Sequence, residues 1–241
     1  IFPRRIIVKG KARRWITNWS ITILNTLTLR LFSVALPLLA IGAAFDAQNL
    51  NVGFFNRINF SYWVEFLLVI LILDFAIWLQ HLLTHKIGFL WRIHRVHHSD
   101  TQMDVSTAIR FHPIEIALSM VLKIGLVYAL GADPLSILFF EILLNGSSMF
   151  NHANIKIPTR IDKVLRLFIV TPDMHRIHHS SDRNEHDTNF GFALSVWDRF
   201  FRTYKDYPQT KHEDMEIGLN WQDEKPEKLG WSLALPFRKN E

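Results

Sequence analysis

The sequence has 241 residues, 49% of them hydrophobic, and contains no cysteine. The lack of cysteine excludes disulfides, cysteine-ligated iron–sulfur clusters, thiolate-ligated haem and cysteine-rich zinc sites from these residues. The formal net charge is +5, but the basic residues flank long apolar runs. This arrangement favours a membrane surface as the partner, and we expect no nucleic acid.

Four apolar stretches predict an all-α protein with a membrane-embedded helical stem of about four spans or half-spans. The first, 21–45, follows a basic segment, 1–20, and is too long for the apolar region of a signal peptide. The second, 62–83, is the clearest span, because a transmembrane helix needs about 20 mostly apolar residues. The third and fourth, 114–130 and 134–150, are short and separated only by a turn. The alternative is a set of buried helices in a large soluble core.

The distribution of lysine and arginine predicts the orientation of these helices. Residues 1–20 carry six basic residues, whereas the loop 46–61 carries only Arg57. Basic residues accumulate on the cytoplasmic side of membrane proteins, so the N-terminus is predicted to lie there. An even number of crossings then returns 84–113 and 151–241 to the same side. We therefore expect an integral, multi-pass membrane protein whose histidine-rich segments share the cytoplasmic face.

Nine of the twelve histidines fall into four groups with spacings typical of metal ligands. On a helix, positions i, i+3 and i+4 share one face, so each His-x-x-His-His triplet is predicted to direct its imidazoles towards one point. A His-x-x-x-His pair does the same. Nine ligands exceed the needs of one tetrahedral zinc ion and suit two metal ions with open positions. The groups are His81 and His85; His94, His97 and His98; His152; and His175, His178 and His179.

Elimination of other familiar metal sites leaves a histidine-rich di-iron centre, and iron has the redox chemistry that activation of O₂ needs. Neutral imidazoles suit zinc, copper, iron and nickel alike. The His-Glu-x-x-His pattern of zinc peptidases is absent, and the carboxylates of ferritin-like centres are few near the triplets. The other three histidines are placed outside the ligand set. His186 and His212 are interpreted as surface residues, and His112 is a candidate for a supporting hydrogen bond or for contact with a headgroup.

Polar residues near the histidines are candidates for orienting them. Asp74 lies seven residues before His81 on the same predicted helix face, and an acidic residue within a span is usually functional. We therefore predict that Asp74 accepts a hydrogen bond from a ligand imidazole, directly or through water. Weaker candidates for such contacts, or for helix caps, are Asp100, Asp173, Asp182 and Asn189. Glu65 and Glu141 are left open as possible lining of a polar cavity.

The histidine motifs resemble those of a known family. HLLTH, RIHRVHHSD, FHP, FNHAN and MHRIHHSSD, followed by NFGFALSVWDRFFRTY, are similar to the fatty acid hydroxylase/sterol desaturase superfamily of integral membrane di-iron oxygenases, over about residues 60–204. The resemblance implies that the nine histidines bind two iron ions in a cytosolic helical cap above the membrane stem. It also implies that the enzyme uses O₂ to hydroxylate or desaturate a lipid.

Two positions depart from the family pattern. Phe201-Arg202-Thr203 stands where Phe-Gly-Thr is frequent, and Ser148 occupies a position that is histidine in some members. Together with the charge pattern and the apolar stretches, the resemblance predicts a basic N-terminal segment (1–20), a membrane-embedded fatty acid hydroxylase-like domain (21–204) and a polar C-terminal tail (205–241). We expect that tail to be solvated.

The proposed chemistry requires electrons, and the sequence shows no group that supplies them. It has neither cysteine nor a Gly-x-Gly-x-x-Gly fingerprint. We therefore expect a separate electron donor, either a ferredoxin or a cytochrome with its reductase. Two other functions stay open at this stage: a sterol-type desaturase with the same site, and a non-catalytic membrane protein that binds or transports metal. A zinc-dependent membrane hydrolase is a further alternative.

Overall fold

The all-α prediction is confirmed by the computed structural model, which has eleven α-helices and no β-strand among the residues it describes. Those residues are 2–6, 10–35, 39–58, 60–221 and 225–238. The helices are α1 Lys11–Ala35, α2 Leu39–Asn49, α3 Tyr62–Lys86, α4 Gly88–His98, α5 Pro113–Leu130, α6 Pro134–Asn151, α7 Thr159–Leu165, α8 Pro172–His178, α9 Arg183–His186, α10 Val196–Phe200 and α11 Leu229–Ala234.

Two of the described helices, α3 and α5, are long and apolar enough to cross a membrane, with mean hydropathies of 2.3 and 1.7. The first apolar stretch was predicted as one span, but it forms α1 and α2, and residues 36–38 between them lie outside the described part. The fourth stretch forms α6, whose C-terminal half is rich in Asn, Gly and Ser and lowers its hydropathy. Two of the four stretches predicted as spans or half-spans therefore form helices, among the described residues, that are long and apolar enough to cross a membrane.

Helix α1 is apolar on its outer face and polar on its inner face. Trp19, Ile23 and Leu27 are each more than half exposed, whereas Asn18 and Asn25 are buried. This is the reverse of the pattern of a helix in a soluble protein, where the apolar face is buried. Together with the two candidate spans, it indicates association with a membrane, because lipid is the solvent that such a surface suits.

The stem is built by α2, α3, α5 and α6 around one apolar core. Leu73 of α3, Val127 of α5 and Phe140 of α6 are almost fully buried there, and alanines of α2 let that helix approach closely. Gly131 ends α5 with a φ of 65°, the left-handed conformation that favours glycine. Asp133 then accepts hydrogen bonds from the first turn of α6. These two residues explain the short turn between α5 and α6 that the sequence predicted.

Only Ile87 separates α3 from α4, so the chain reverses where the first histidine pair ends. The C-terminal ends of α3 and α6 meet α4 and α8 at the same end of the stem. The four histidine groups therefore lie together in one region at this end of the stem, termed the cap. Every one of the nine histidines is at most 5% exposed.

The N-terminal basic segment packs onto this cap. The Arg14 Nη1 atom donates to an Asp100 oxygen at 2.8 Å, and its Nη2 atom pairs with Asp104. The Arg4 Nε atom lies 3.1 Å from an Asp173 oxygen. These ion pairs place the N-terminus on the same side as the histidines. Lys9, a member of the predicted basic segment, lies outside the described residues.

The C-terminal segment is not the solvated extension that the sequence predicted. Trp231 and Leu235 are buried in an apolar cluster with Ile21 of α1 and Val96 of α4. The sequence prediction was wrong because the apolar residues of this segment are scattered among charges, and their partners lie far away in the chain. The segment covers the back of the helix that carries His94, His97 and His98.

We predict that Arg110 holds the N-terminal, cap and C-terminal segments together. Its fully buried guanidinium donates to Val96 O (2.9 Å), Asn18 Oδ1 (2.7 Å) and Ser232 Oγ (2.8 Å). Burial lowers the pKa of Arg110 to about 10, so the group stays charged at neutral pH. Arg110→Met leaves these acceptors unpaired, and we expect a loss of about 3 kcal/mol in stability.

The measurement is the thermal midpoint of unfolding of the purified protein in detergent, with tryptophan fluorescence as the signal. Arg13→Met is the matched control, because Arg13 is exposed on the neighbouring helix. Equal midpoints for the two variants would show that Arg110 does not hold the cap together.

Candidate metal centre

The nine imidazoles of the cap form two groups, each of a size that can hold one metal ion. Within each group, one ring nitrogen per residue lies within 4.8 Å of all the others. The five-histidine group is His81, His85, His94, His98 and His178, and the four-histidine group is His97, His152, His175 and His179.

Each His-x-x-His-His triplet contributes to both groups, which corrects the prediction that a triplet directs all its imidazoles towards one point. His94 and His98 of α4 belong to the five-histidine group, and His97 belongs to the other. At α8 the division is reversed, since His175 and His179 join the four-histidine group. Residues i and i+4 share a face most closely, and the remaining member of each triplet turns towards the second group. Each triplet thus supplies imidazoles to both of the adjacent groups.

The nitrogen atoms that converge have no other partner, which is what a metal site requires. In the five-histidine group, the Nε2 atoms of all five residues are buried without a hydrogen bond. In the four-histidine group, His152 Nε2 lies 3.1 Å from the Nε2 atoms of both His97 and His179 and 3.2 Å from that of His175. A neutral imidazole has one N–H, so four converging nitrogens cannot all satisfy one another. Metal ions bound there would satisfy them, and the donor set fits such ions.

Burial also gives the imidazoles the protonation state of metal ligands. It lowers the pKa values of His97, His98, His175, His178 and His179 well below the usual histidine value, with neighbouring histidines adding to the effect. The rings are therefore neutral at physiological pH, and a neutral ring leaves one nitrogen lone pair free to bind a metal.

The Nδ1 atoms on the far side of several rings donate to backbone carbonyls. His81 donates to Phe190 O, His178 to Thr188 O and His152 to Ser148 O, each at 2.7 Å. Such a hydrogen bond fixes the tautomer that leaves Nε2 free for a metal, and it sets the orientation of the ring.

The carbonyls of Thr188 and Phe190 flank Asn189, whose backbone has a φ of 55°. The Asn189 side chain donates to Met174 O and Lys205 O, both at 3.0 Å, which holds this strained residue in place. Asn189 therefore acts through the backbone on both sides of it and touches no imidazole. By fixing the carbonyls of Phe190 and Thr188, it supports His81 of the His81/His85 pair and His178 of the second triplet.

The same loop is fixed by Asp198 of the Trp-Asp-Arg motif. Its two oxygens accept from the backbone nitrogens of Phe190 and Gly191, each at 2.9 Å, and from Trp78 Nε1 at 3.0 Å. A β-carbon on Gly191 would lie 3.0 Å from the Asp198 carboxylate and closer still to Leu194 O, so glycine permits this approach.

The role predicted for Asp74 was wrong. Its carboxylate accepts a hydrogen bond from Nε1 of Trp197, the residue before Asp198, at 2.8 Å. No hydrogen bond from Asp74 to a histidine is among the described contacts. Two helical turns separate Asp74 from His81, about 10 Å along the axis, which exceeds the reach of an aspartate. Asp100, Asp173 and Asp182 also serve other partners: Arg14, Arg176 and the N-terminus of α9 respectively.

The sequence analysis missed Glu115, the acidic residue closest to a ligand candidate. Its Oε1 atom lies 2.6 Å from His94 Nδ1, and the other oxygen is buried without a partner. The signal was present, since Glu115 follows the Phe-His-Pro motif at the start of an apolar stretch. Its position resembles that of an ordinary acidic residue in the first turn of a helix, which concealed its role.

The remaining histidines have three different environments. His112 caps α5: its Nδ1 accepts from Ile114 N, and its Nε2 lies 3.2 Å from Leu233 O. His186, interpreted from sequence as a surface residue, forms a smaller group with His85 and Asp187 beside the five-histidine group. His212 is buried at 8% exposure, 3.8 Å from Asp173, so its surface interpretation was wrong.

A cavity of about 300 Å³ borders the five-histidine group. It reaches from His81, His94 and Glu115 towards the middle of α5 and α6, where Glu141 lines its wall. Glu65, the other acidic residue left open, lies in the first turn of α3, at the end remote from His81.

Arg202, which stands where the family pattern frequently has glycine, has a backbone φ of 59°. Glycine adopts this conformation without strain.

Comparison with known proteins identifies relatives of this chain. Residues 66–203 match the family model described as fatty acid hydroxylase. The chain is 31% identical over 153 residues to the ornithine lipid hydroxylase OlsE of Rhizobium tropici, covering 64% of this chain and 45% of that protein. It is 27% identical over 146 residues to alkylglycerol monooxygenase of Homo sapiens, covering 61% and 31%.

A third relative, cholesterol 25-hydroxylase of Rattus norvegicus, is 26% identical over 151 residues, covering 60% of this chain and 48% of that protein. The matched region spans less than half the length of each of these relatives. No solved structure matches the chain.

We predict that Glu115 supports metal binding through His94. Glu115→Gln preserves the shape of the side chain but removes its charge, so the imidazole loses its anionic acceptor. Loss of such a partner lowers metal affinity by about 10- to 100-fold. The measurement is iron retained per chain after dialysis against a chelator series. Glu216→Gln, at an exposed position, is the control, and equal retention by the two variants would contradict the role.

We further predict that the metal-free protein loses stability as the pH falls below about 6.5. The unfolded chain takes up protons on its histidines near that pH, whereas the buried ones resist protonation because burial lowers their pKa values. Stability is therefore full above pH 6.5 and declines as the solution becomes more acidic. The thermal midpoint of chelator-treated protein should fall steadily between about pH 6.5 and 5, and a constant midpoint would contradict the neutral, buried state of the rings.

Proposed function

Because the chain belongs to the fatty acid hydroxylase family, we propose that it is a membrane-bound, non-haem di-iron oxygenase that hydroxylates a C–H bond of a lipid with O₂. The observation that carries this proposal is the pair of adjacent imidazole groups, which together account for all nine predicted ligands. The relatives named above are a hydroxylase of ornithine lipid, a monooxygenase of alkylglycerol and a hydroxylase of cholesterol. Their names favour hydroxylation over desaturation.

In this proposal the five-histidine group holds one iron ion and the four-histidine group the other. Iron bound there would supply the reduction of O₂ and the cleavage of an unactivated C–H bond. The carbonyls of Thr188, Phe190 and Ser148 keep Nδ1 protonated on three of the rings, and Glu115 does so for His94. These contacts hold the Nε2 atoms towards the metals.

Aromatic side chains shield the centre from water. The Phe111 ring stacks on His97 with 4.2 Å between centroids, and Phe192 lies 4.9 Å from His81. A dry site favours a bound lipid chain and excludes solvent from the reaction. The cavity beside His81 and His94 provides the position in which a C–H bond of the lipid would meet the metals.

The cytoplasmic location of the cap and the electron donor are parts of the same proposal. The contacts of Arg4 and Arg14 with the cap support a shared side for the N-terminus and the histidines, and the basic N-terminus favours the cytoplasm. The electron source lies outside these 241 residues, and we propose a ferredoxin or a cytochrome with its reductase. Exposed Lys86 and Arg183 beside Asp187 provide positive charge where an acidic donor could approach the centre.

A membrane metal transporter is the rival from another functional class. A transport path requires ligands distributed along the spans, whereas the histidine groups found here lie together at one end of the stem. A zinc hydrolase would use the same imidazoles without O₂ or reductant. Desaturation would give an alkene from the same site.

The test is expression with a ferredoxin or cytochrome system, followed by lipid mass spectrometry under isotopically labelled O₂. We expect about two iron ions per chain and one labelled oxygen atom in a lipid product. His178→Ala should reduce product by about 100-fold or more, because it removes a ligand from the five-histidine group.

His112→Asn is the matched control, because asparagine also caps helices and His112 belongs to neither group. Zinc alone after growth in excess iron, without oxidation of any lipid, would overturn the proposal. An unlabelled alkene product would replace hydroxylation with desaturation.

A further inference from the structure

A polar stripe follows the inner face of α5, an otherwise apolar candidate span. Glu115, Ser119 and Lys123 are spaced at i, i+4 and i+8, so they lie on one face of the helix. All three line the 300 Å³ cavity beside the five-histidine group. Polar residues within a membrane span are costly unless they serve a purpose, and they usually face an internal site.

Helix α6 contributes a matching stripe from the opposite wall. Glu141, Asn145 and Ser148 line the same cavity at i, i+4 and i+7. Glu141 lies 2.6 Å from Lys123, so the two stripes meet in an ion pair near the middle of both helices. The side chains are 11% and 23% exposed, and both are part of the cavity wall.

This ion pair is separated from the histidines by about two helical turns. Lys123 lies eight residues after Glu115, roughly 12 Å along the helix axis, and Glu115 contacts His94. Glu141 lies seven residues before Ser148, whose carbonyl accepts from His152. The cavity thus connects the candidate metal centre at one end with a pair of opposite charges at the other.

A second cavity, of about 380 Å³, continues from the same region and has a different lining. It shares Gln80, Thr84 and Glu115 with the first cavity, but its other walls are apolar side chains of α3, α4 and α5. Ser119 Oγ lies 3.3 Å from Gln80 Oε1 where the two cavities adjoin. The histidines therefore lie near the junction of a polar arm and an apolar arm.

We propose that Lys123 and Glu141 bind a zwitterionic headgroup of the lipid, with its acyl chain extending past the histidines into the apolar arm. This proposal depends on the proposed function in one respect, namely that the bound lipid is the substrate of the enzyme. Lys123 has donors for an anionic oxygen of the headgroup, and Glu141 has acceptors for an ammonium group. A net anion would be repelled by Glu141 and Glu115, and a net cation would complement only the carboxylates and not Lys123, whereas a zwitterion complements both members of the pair.

An alternative is that the pair only joins α5 to α6. The pair lines the cavity, however, so a molecule bound there would reach both charges. Asn145 and Ser119 add neutral hydrogen-bonding groups beside the pair in the same wall. A set of donors and acceptors around two opposite charges is the arrangement that a polar headgroup needs in an apolar medium.

The test measures binding of four probes with equal chain length to the iron-loaded, full chain in detergent, without O₂ or reductant. The probes are hexadecanoic acid (an anion), hexadecylamine (a cation), hexadecane (uncharged) and the α-amino derivative of hexadecanoic acid (a zwitterion). We expect the zwitterion to bind at least about tenfold more tightly than the anion or the cation. Equal affinities for the polar probes, or preference for either single charge, would overturn the proposal.

A charge swap separates recognition from a structural role. The double variant Lys123→Glu, Glu141→Lys keeps an ion pair between the helices but exchanges its poles, so the headgroup no longer matches. We expect it to retain its iron and its thermal midpoint and to lose about tenfold in affinity for the zwitterion. Lys156→Glu, in the exposed Lys156–Glu213 pair of the cap, is the control for a change of charge.

An unchanged affinity in the swapped variant would show that the pair is structural. If the swapped variant does not fold, the comparison of probes on the unmodified chain still decides the question. Because binding is measured without turnover, its failure is distinct from failure of the proposed oxygenase activity.

Discussion

Nine neutral imidazoles buried against one another are the constraint on which the rest of the structure depends. Their free nitrogen atoms face each other at distances near 3 Å in the four-histidine group. Without metal, such an arrangement leaves many polar atoms unsatisfied and makes the cap acid-sensitive. Four of the nine rings are held from their other nitrogen, three by backbone carbonyls and one by Glu115. A carbonyl fixes the tautomer without adding a negative charge to the site.

This requirement explains why distant segments converge on the loop 188–191. Thr188 and Phe190 orient one imidazole each, Asn189 holds the strained backbone between them, and Asp198 fixes the amides that follow. Asp74 binds the tryptophan next to Asp198 and so anchors the loop to the stem. The segment from Thr188 to Asp198 thus supports the candidate metal centre. The N- and C-terminal segments brace the opposite side of the cap through Arg14 and Arg110.

The outer and inner faces of the stem differ in polarity. Its outer faces are apolar, as is the neighbouring exposed stripe of α1, and contact with lipid demands such surfaces. Its inner faces carry polar residues towards the cavity, which ends at the Lys123–Glu141 pair. Two adjoining cavities, one polar and one apolar, beside the proposed oxidation centre suit an amphipathic lipid better than a plain hydrocarbon. The position of the histidines near the junction would place the reacting carbon on the chain and not on the headgroup.

The sequence by itself determined the helical class, the membrane association and the nine histidines, because helical periodicity and ligand spacing are local properties. The tight α5–α6 turn was predictable for the same reason, from Gly131, Asp133 and Pro134. Only the tertiary structure decided how the triplets divide between two groups, that Glu115 and not Asp74 contacts a ligand candidate, and that the C-terminal segment is buried. These features depend on which residues from distant segments meet, and an acidic residue in a helix has the same local pattern whether its partner is a tryptophan, a histidine or water.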